Sequence, residues 1–165
     1  MMGTLTSWAR SRIMSAIRKR DTKPELIVRR FLHAKGLRYA LHCADLPGCP
    51  DLVFPSRGAV VFVHGCFWHR CPHCPAGRKI VRSNIEYWHP KLERNVARDI
   101  RVKQELRGLG WKVLTIWECQ TRKACALDKL ARTLLGAHRS IMRSRAYPTT
   151  RRPRSMPRRS ASARG

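Results

Sequence analysis

The chain has 165 residues, 43% of them apolar, which suits one domain with its own core and excludes a wholly disordered chain. Its 35 Lys and Arg against 10 Asp and Glu leave a net charge of +25, which points to a polyanion, nucleic acid before an anionic membrane surface or a ribosome. The longest apolar run, Ala59–Val63, is too short to span a bilayer, and the N-terminal MMGTLTSWARSRIM has no apolar signal core, so the expected location is cytoplasmic.

Residues 7–20, SWARSRIMSAIRKR, set Trp8, Ile13, Met14 and Ile17 among basic residues and predict a short basic helix or arm. Asp21-Thr22-Lys23-Pro24-Glu25 reads as a helix start: Thr22 can cap, Pro24 suits the first turn, and Glu25 sits at capping-box spacing. Leu26, Ile27, Phe31 and Leu32 carry this helix to Gly36. Leu37–Cys43 is a candidate strand, followed by the turn cluster Leu46-Pro47-Gly48-Cys49-Pro50. Asp51–Phe54 and Ala59–Val63 predict a hairpin around Pro55-Ser56-Arg57-Gly58. Residues 65–84 are irregular and rich in Cys, His, Pro and Gly. Helical spacing returns over 85–108 through Leu92, Val96, Ile100 and Leu106, and Gly108-Leu109-Gly110 stops it. Trp111–Trp117 is the strongest buried-strand signal, and a last helix is expected from Arg122 to Gly136. The order α-β-β-β-α-β-α predicts a small α/β or α+β domain on a mixed sheet, at residues 1–137. Residues 138–165 predict a disordered basic tail; after His138 they hold nine Arg and no acidic residue.

Seven cysteines, at 43, 49, 66, 71, 74, 119 and 125, suggest metal before disulfides in a reducing compartment. Cys71-x2-Cys74 is a knuckle that can put two thiolates on one zinc ion. Cys66 lies close enough to join, and Cys119, directly after the strand 111–117, is the best distant fourth ligand. His73 is the second choice for one of these positions. Thiolates favour Zn²⁺, and four protein ligands make it structural. Cys43, Cys49 and Cys125 are expected to pack as small apolar groups.

Asp51 leads one strand and His64 ends the next, which places a carboxylate and an imidazole on adjacent strands. Asp51 and a backbone carbonyl at the neighbouring strand end can supply oxygen ligands to Mg²⁺. Imidazole is the side chain whose ordinary titration lies nearest neutrality, so His64 and His69 are the candidates to act as base or proton donor in phosphodiester hydrolysis. Singly, Asp51 reads as a turn residue after Pro50, Glu25 as a cap and His64 as a strand-end histidine. Their concentration in so basic a chain favours a nuclease. Two other classes fit the charge: a noncatalytic zinc-dependent DNA-binding module, and a basic RNA-binding or ribosome-associated protein.

The segments DTKPE at 21–25, LPGCPDLVF at 46–54, VVFVHGCFWHRCPHC at 60–74, KLERNVARD at 91–99 and LGWKVLTIWEC at 109–119 carry a resemblance. Over about residues 7–135 the sequence resembles the very-short-patch repair (Vsr) DNA mismatch endonucleases. HGCFWH together with GW-x-V-x3-WEC makes the likeness specific.

The resemblance implies a restriction-endonuclease-like fold of the PD-(D/E)xK type, a mixed sheet flanked by helices. Asp51 is then the aspartate that holds Mg²⁺, joined by the backbone carbonyl of Val63. Phe62 and His64 stand where that pattern usually has its second acid and lysine, a departure the family shares. His69 activates the attacking water, His64 supports the scissile phosphate or leaving group, and Glu25 orients water around the metal. Cys66, Cys71, Cys74 and Cys119 ligate zinc. Phe67 and Trp68 wedge into the base stack, Met14 enters from the opposite groove, and Arg10, Arg12 and Arg18 follow the phosphates. The implied reaction is a nick 5′ to the thymine of a T:G mismatch left by deamination of 5-methylcytosine. The implied partners are the mismatched duplex, acted on by a monomer, a functional link to a DNA cytosine methyltransferase, and mismatch-repair proteins.

Overall fold

The computed structural model describes residues 20–137. The expected arm over 7–20, apart from Arg20, and the tail over 138–165 lie outside the described residues. The elements are α1 (Lys23–Ala34), β1 (Ala40–Leu41), β2 (Leu52–Phe54), β3 (Ala59–His64), α2 (Pro75–Arg78), α3 (Ile85–Gly108), β4 (Lys112–Trp117) and α4 (Ala124–Leu135). One turn of 3₁₀ helix joins β2 to β3 at Pro55–Arg57, and another follows β4 at Glu118–Gln120.

The sheet runs β1-β2-β3-β4. β1, β2 and β3 pair antiparallel, and β3 pairs parallel with β4 in the register His64↔Trp117. A parallel neighbour needs a crossover, and α3 supplies it. Alternation along the strands sorts the core into two layers. Leu52, Phe54, Ala59, Val61 and Ile116 face α1 and α4, where Val28, Leu32, Leu130 and Leu134 bury their side chains. Val53, Val60 and Phe62 face α3, against Val102 and Leu106. A strand covered on both faces reads as a continuous apolar run, which is why 52–54 and 59–63 lack polar alternation. Full burial of a side chain such as Phe54 is worth about 2–3 kcal/mol.

Three sequence expectations change. The strand 37–43 shrinks to Ala40–Leu41, because His42 takes a left-handed backbone (φ 47°) that breaks extension. Glu25 does not complete a capping box; its carboxylate accepts from the Asp21 N–H (3.0 Å) and the Thr22 hydroxyl (2.9 Å), and Thr22 makes no side-chain cap bond. Cys125 is exposed, since α4 turns Leu127, Leu130, Ala131 and Leu134 inward. Cys43 packs beside the α3-facing core as expected.

The turn before β2 depends on glycine. Gly48 has φ 70°, and a Cβ there would stand 2.4 Å from the Val102 side chain. That close approach seats the Pro50–Asp51 corner against α3.

Candidate active site and metal centre

The topology gathers one end of the sheet. The start of antiparallel β2 and the ends of parallel β3 and β4 meet there, so Asp51, His64 and the residues after Trp117 converge.

Asp51 is half-buried, and its Oδ2 accepts a 2.7 Å hydrogen bond from the Val63 N–H. Val63 thus meets Asp51 through its amide, at the strand end whose carbonyl was expected to join it on a cation. Burial pushes the Asp51 carboxyl up to about 6; the Val63 bond opposes this, the Glu25 charge adds to it, and Arg29 and His69 oppose it. A carboxylate held at such a cost is a ready site for a cation.

His64 is buried and stacks on His69 with ring centroids 4.0 Å apart and planes 14° apart. Burial, then the neighbouring His69, pulls His64 down to about 3, so it is neutral across the physiological range. Its Nδ1 is buried without a hydrogen-bond partner, 3.8 Å from Asp99 Oδ2. His69 Nδ1 lies 2.5 Å from the same oxygen. Burial alone would raise the Asp99 carboxyl, but the hydrogen bond and charge of His69 outweigh it and hold it low. An ionised carboxylate at Nδ1 fixes that nitrogen as the protonated one and leaves Nε2 as the base.

Sequence reasoning missed Asp99. Its signal is periodic: Lys91, Asn95 and Asp99 form an i, i+4, i+8 polar stripe on α3. Lys91 Nζ sits 5.7 Å from the Trp68 ring centroid, Asn95 Nδ2 donates to the Trp68 carbonyl (3.1 Å), and Asp99 takes His69. One helix face thereby grips the loop that leaves β3.

Glu25 is buried on α1 and bonded to Arg29, whose second partner there is His42; sequence reasoning missed both.

The four predicted thiols converge. The sulfurs of Cys66, Cys71, Cys74 and Cys119 all lie within 4.8 Å of one another, with Cys71 and Cys119 3.9 Å apart. A tetrahedral zinc with bonds of about 2.3 Å separates its sulfurs by about 3.8 Å, so the set fits that ion. The register explains the convergence: His64 pairs with Trp117, and Cys66 and Cys119 each follow two residues later. Backbone N–H groups of Cys119 and His73 point at the Cys66 and Cys71 sulfurs (3.3 and 3.4 Å), the donors a thiolate site needs. Burial pushes the Cys66 and Cys71 thiols up, while the Gly77 N–H draws Cys74 down. His73 contributes its amide; its ring is outside the cluster, so the second choice for a ligand falls away. Gly77 has no room for a side chain, because a Cβ would sit 2.1 Å from the Cys71 carbonyl oxygen.

Beside His69, the loop and the first turn of α3 present aromatic rings. Phe67, Trp68 and Trp88 are mutually in contact, with centroids 5.3–5.8 Å apart, and Tyr87 packs on Trp88. Lys91 lies over Tyr87 and Trp88 as well as Trp68. An open groove of about 480 Å³ beside Phe67 is lined by Lys79, Ile80, Val81, Arg82 and Ser83.

Residues 2–76 match the family model described as DNA mismatch endonuclease Vsr. The chain is 44% identical over 135 residues to the Type II nicking enzyme V.XorIIP of Xanthomonas oryzae pv. oryzae, covering 82% of this chain and 98% of that one. The chain belongs to the Vsr family. Among its other members, the DNA mismatch endonuclease Vsr of Escherichia coli is 42% identical over 113 residues, covering 68% and 71% of the two chains. The Type II nicking enzyme V.NmeAIP of Neisseria meningitidis is 39% identical over 133 residues, covering 80% and 94%.

In this Vsr-family chain, the expected residues Asp51, Val63, His64, His69 and the four cysteines gather at one sheet end, while Glu25 approaches from α1. Phe67 and Trp68 stand beside them. Met14, Arg10, Arg12 and Arg18 lie outside the described residues.

Proposed function

We propose that the chain is a Mg²⁺-dependent, zinc-braced endonuclease that nicks DNA 5′ to the thymine of a T:G mismatch. The observation that carries this reading is the joint geometry of a half-buried Asp51 and a His69 whose Nδ1 is held by Asp99, at one sheet end in a Vsr-family chain. Asp51 and the Val63 carbonyl would hold Mg²⁺, which neutralises charge on the phosphate when bound. His69, held in one tautomer by Asp99, accepts the proton of the attacking water at Nε2. His64, neutral and stacked beneath, braces His69 and offers a hydrogen bond to the phosphate or leaving oxygen. Glu25 orients water next to Asp51.

Cys66, Cys71, Cys74 and Cys119 would hold zinc as a closed structural site. That site ties the loop carrying Phe67, Trp68 and His69 to the end of β4. Phe67, Trp68 and Trp88 form a three-ring wedge for the base stack, which enters most cheaply at a weakened pair. The mixed sheet with Asp51 entering β2 supports a PD-(D/E)xK-type plan in which Phe62 and His64 on β3 replace the usual second acid and lysine. The T:G lesion left by 5-methylcytosine connects the chain to a cytosine methyltransferase, and handing on the nicked strand would involve mismatch-repair proteins.

The test uses end-labelled duplexes that differ only in T:G against C:G, with and without Mg²⁺. Nicking of the T:G strand alone, only with Mg²⁺, is expected. Equal cutting of both duplexes removes the mismatch claim. Tight binding with no cutting favours a noncatalytic DNA-binding module, and preference for RNA over mismatched duplex favours the RNA-binding class.

A further inference from the structure

The buried face of α1 carries Glu25, Val28, Arg29 and Leu32 at helical spacing. Two of these four are charged, and a buried charge is strongly destabilising unless its partners are complete. Arg29 bonds in three directions, Nη1 to Asp21 Oδ1 at 2.5 Å, Nη2 to Glu25 Oε2 at 2.9 Å, and Nη2 to His42 Nε2 at 2.8 Å, while its Nε is buried without a hydrogen-bond partner. A guanidinium can only donate, so His42 Nε2 is the acceptor and its ring carries the proton on Nδ1.

The same three partners form a donor set of a different kind. Ligand atoms of Asp21, Glu25 and His42 lie within 4.8 Å of one another, which is the spacing a divalent ion takes. The guanidinium bonds all three. Asp21 and His42 both adopt left-handed backbones, with φ 56° and 47°, which non-glycine residues rarely do. Both therefore aim their side chains at Arg29 from strained positions. The pocket abuts the proposed metal ligand: the His42 N–H reaches the Asp51 carbonyl at 3.4 Å, and Glu25 and Arg29 both act on the Asp51 carboxyl.

We propose that Arg29 is a built-in cation of the active site: it fills the Asp21–Glu25–His42 pocket, keeps divalent ions out of it, and holds Glu25 in position beside Asp51. The proposal rests on the reading of Asp51 as the Mg²⁺ ligand. It makes Arg29 a positioning residue, and it confines metal binding on this side of the sheet to Asp51. A planar fork suits this task, since its donors are held in a fixed geometry that matches carboxylate acceptors, whereas an ammonium is a compact point charge on a flexible stem.

The experiment is an Mn²⁺ titration of the zinc-loaded full chain by calorimetry. Wild-type binding should vanish in Asp51→Ala. Arg29→Met should gain one Mn²⁺ per chain, and Arg29→Met/Asp51→Ala should retain that ion and lose it on adding Glu25→Gln. No gain in a folded Arg29→Met overturns the proposal. Asp51→Ala alone decides the matter if Arg29→Met does not fold. Complete loss of Mn²⁺ there means that the pocket excludes metal, as proposed. An ion that survives Asp51→Ala but is lost in Asp51→Ala/Glu25→Gln occupies the pocket and overturns it. An ion that survives both changes counts against Asp51 as the metal ligand, while the pocket stays free of metal as proposed.

Discussion

The cysteine cluster and the Asp51–His69–Asp99 group sit side by side at one end of the sheet, yet they are built differently. The cysteine cluster draws its ligands from one loop and one strand end, and the parallel register of β3 on β4 is enough to close it. The carboxylate–imidazole group draws from the β2 start, the loop after β3 and the middle of α3, and no two of these are near in sequence. One centre is an anchor assembled by register. The other is a reactive arrangement assembled by packing, and it carries the perturbed groups: Asp51 pushed up and His64 pushed down, in each case chiefly by burial. On the proposed reading, zinc would brace the second centre as well, because the loop that carries Cys66, Cys71 and Cys74 also carries His69.

Breaking each side should therefore give a different signature. Asp51→Asn should reduce nicking to background with DNA binding retained, as read by single-turnover cleavage and a binding titration. Cys71→Ser, or stripping zinc with a chelator, should damage stability and activity together. Structural zinc binding is worth on the order of 10 kcal/mol in small domains, so the melting transition should fall steeply and the near-ultraviolet tryptophan signal should change. Asp99→Asn should leave melting nearly unchanged but slow cleavage by about 10²–10⁴-fold, the worth of a well-placed general base. A matched loss of stability would mean that Asp99 braces the fold rather than His69.

Smaller effects separate the two centres further. The folded chain keeps a proton on Asp51 between its ordinary 3.8 and about 6, where the unfolded chain has lost it. The folded state is thus disfavoured as pH rises through that window, and the penalty persists above it. Without added Mg²⁺, Asp51→Asn should be more stable than wild type by about 3 kcal/mol at pH 7.5 and equal to it near pH 3. Equal denaturation midpoints at both pH values would show that Asp51 carries no such burden. Trp68→Ala should keep cleavage but weaken the preference for T:G over C:G by about 1–3 kcal/mol, the worth of one base–aromatic stack. Unchanged selectivity would remove Trp68 from the wedge.

Sequence patterning settled much about this protein without a structure. The helices at 23–34 and 85–108, the hairpin at 52–64, the strand leading into WEC and the four zinc-type cysteines all follow from spacing, because each depends on local periodicity or on a short ligand motif. Asp51, His64 and His69 were legible for the same reason: each lies at a strand end or one loop away. Asp99, Arg29 and His42 were not, and tertiary structure alone decided them. A charged residue on a helix stripe looks the same in sequence whether it faces water or a buried partner 13 or 30 residues away. Only the packing of α1 and α3 against opposite faces of the sheet turns those charges inward, and only a low-dielectric interior makes their pairing matter.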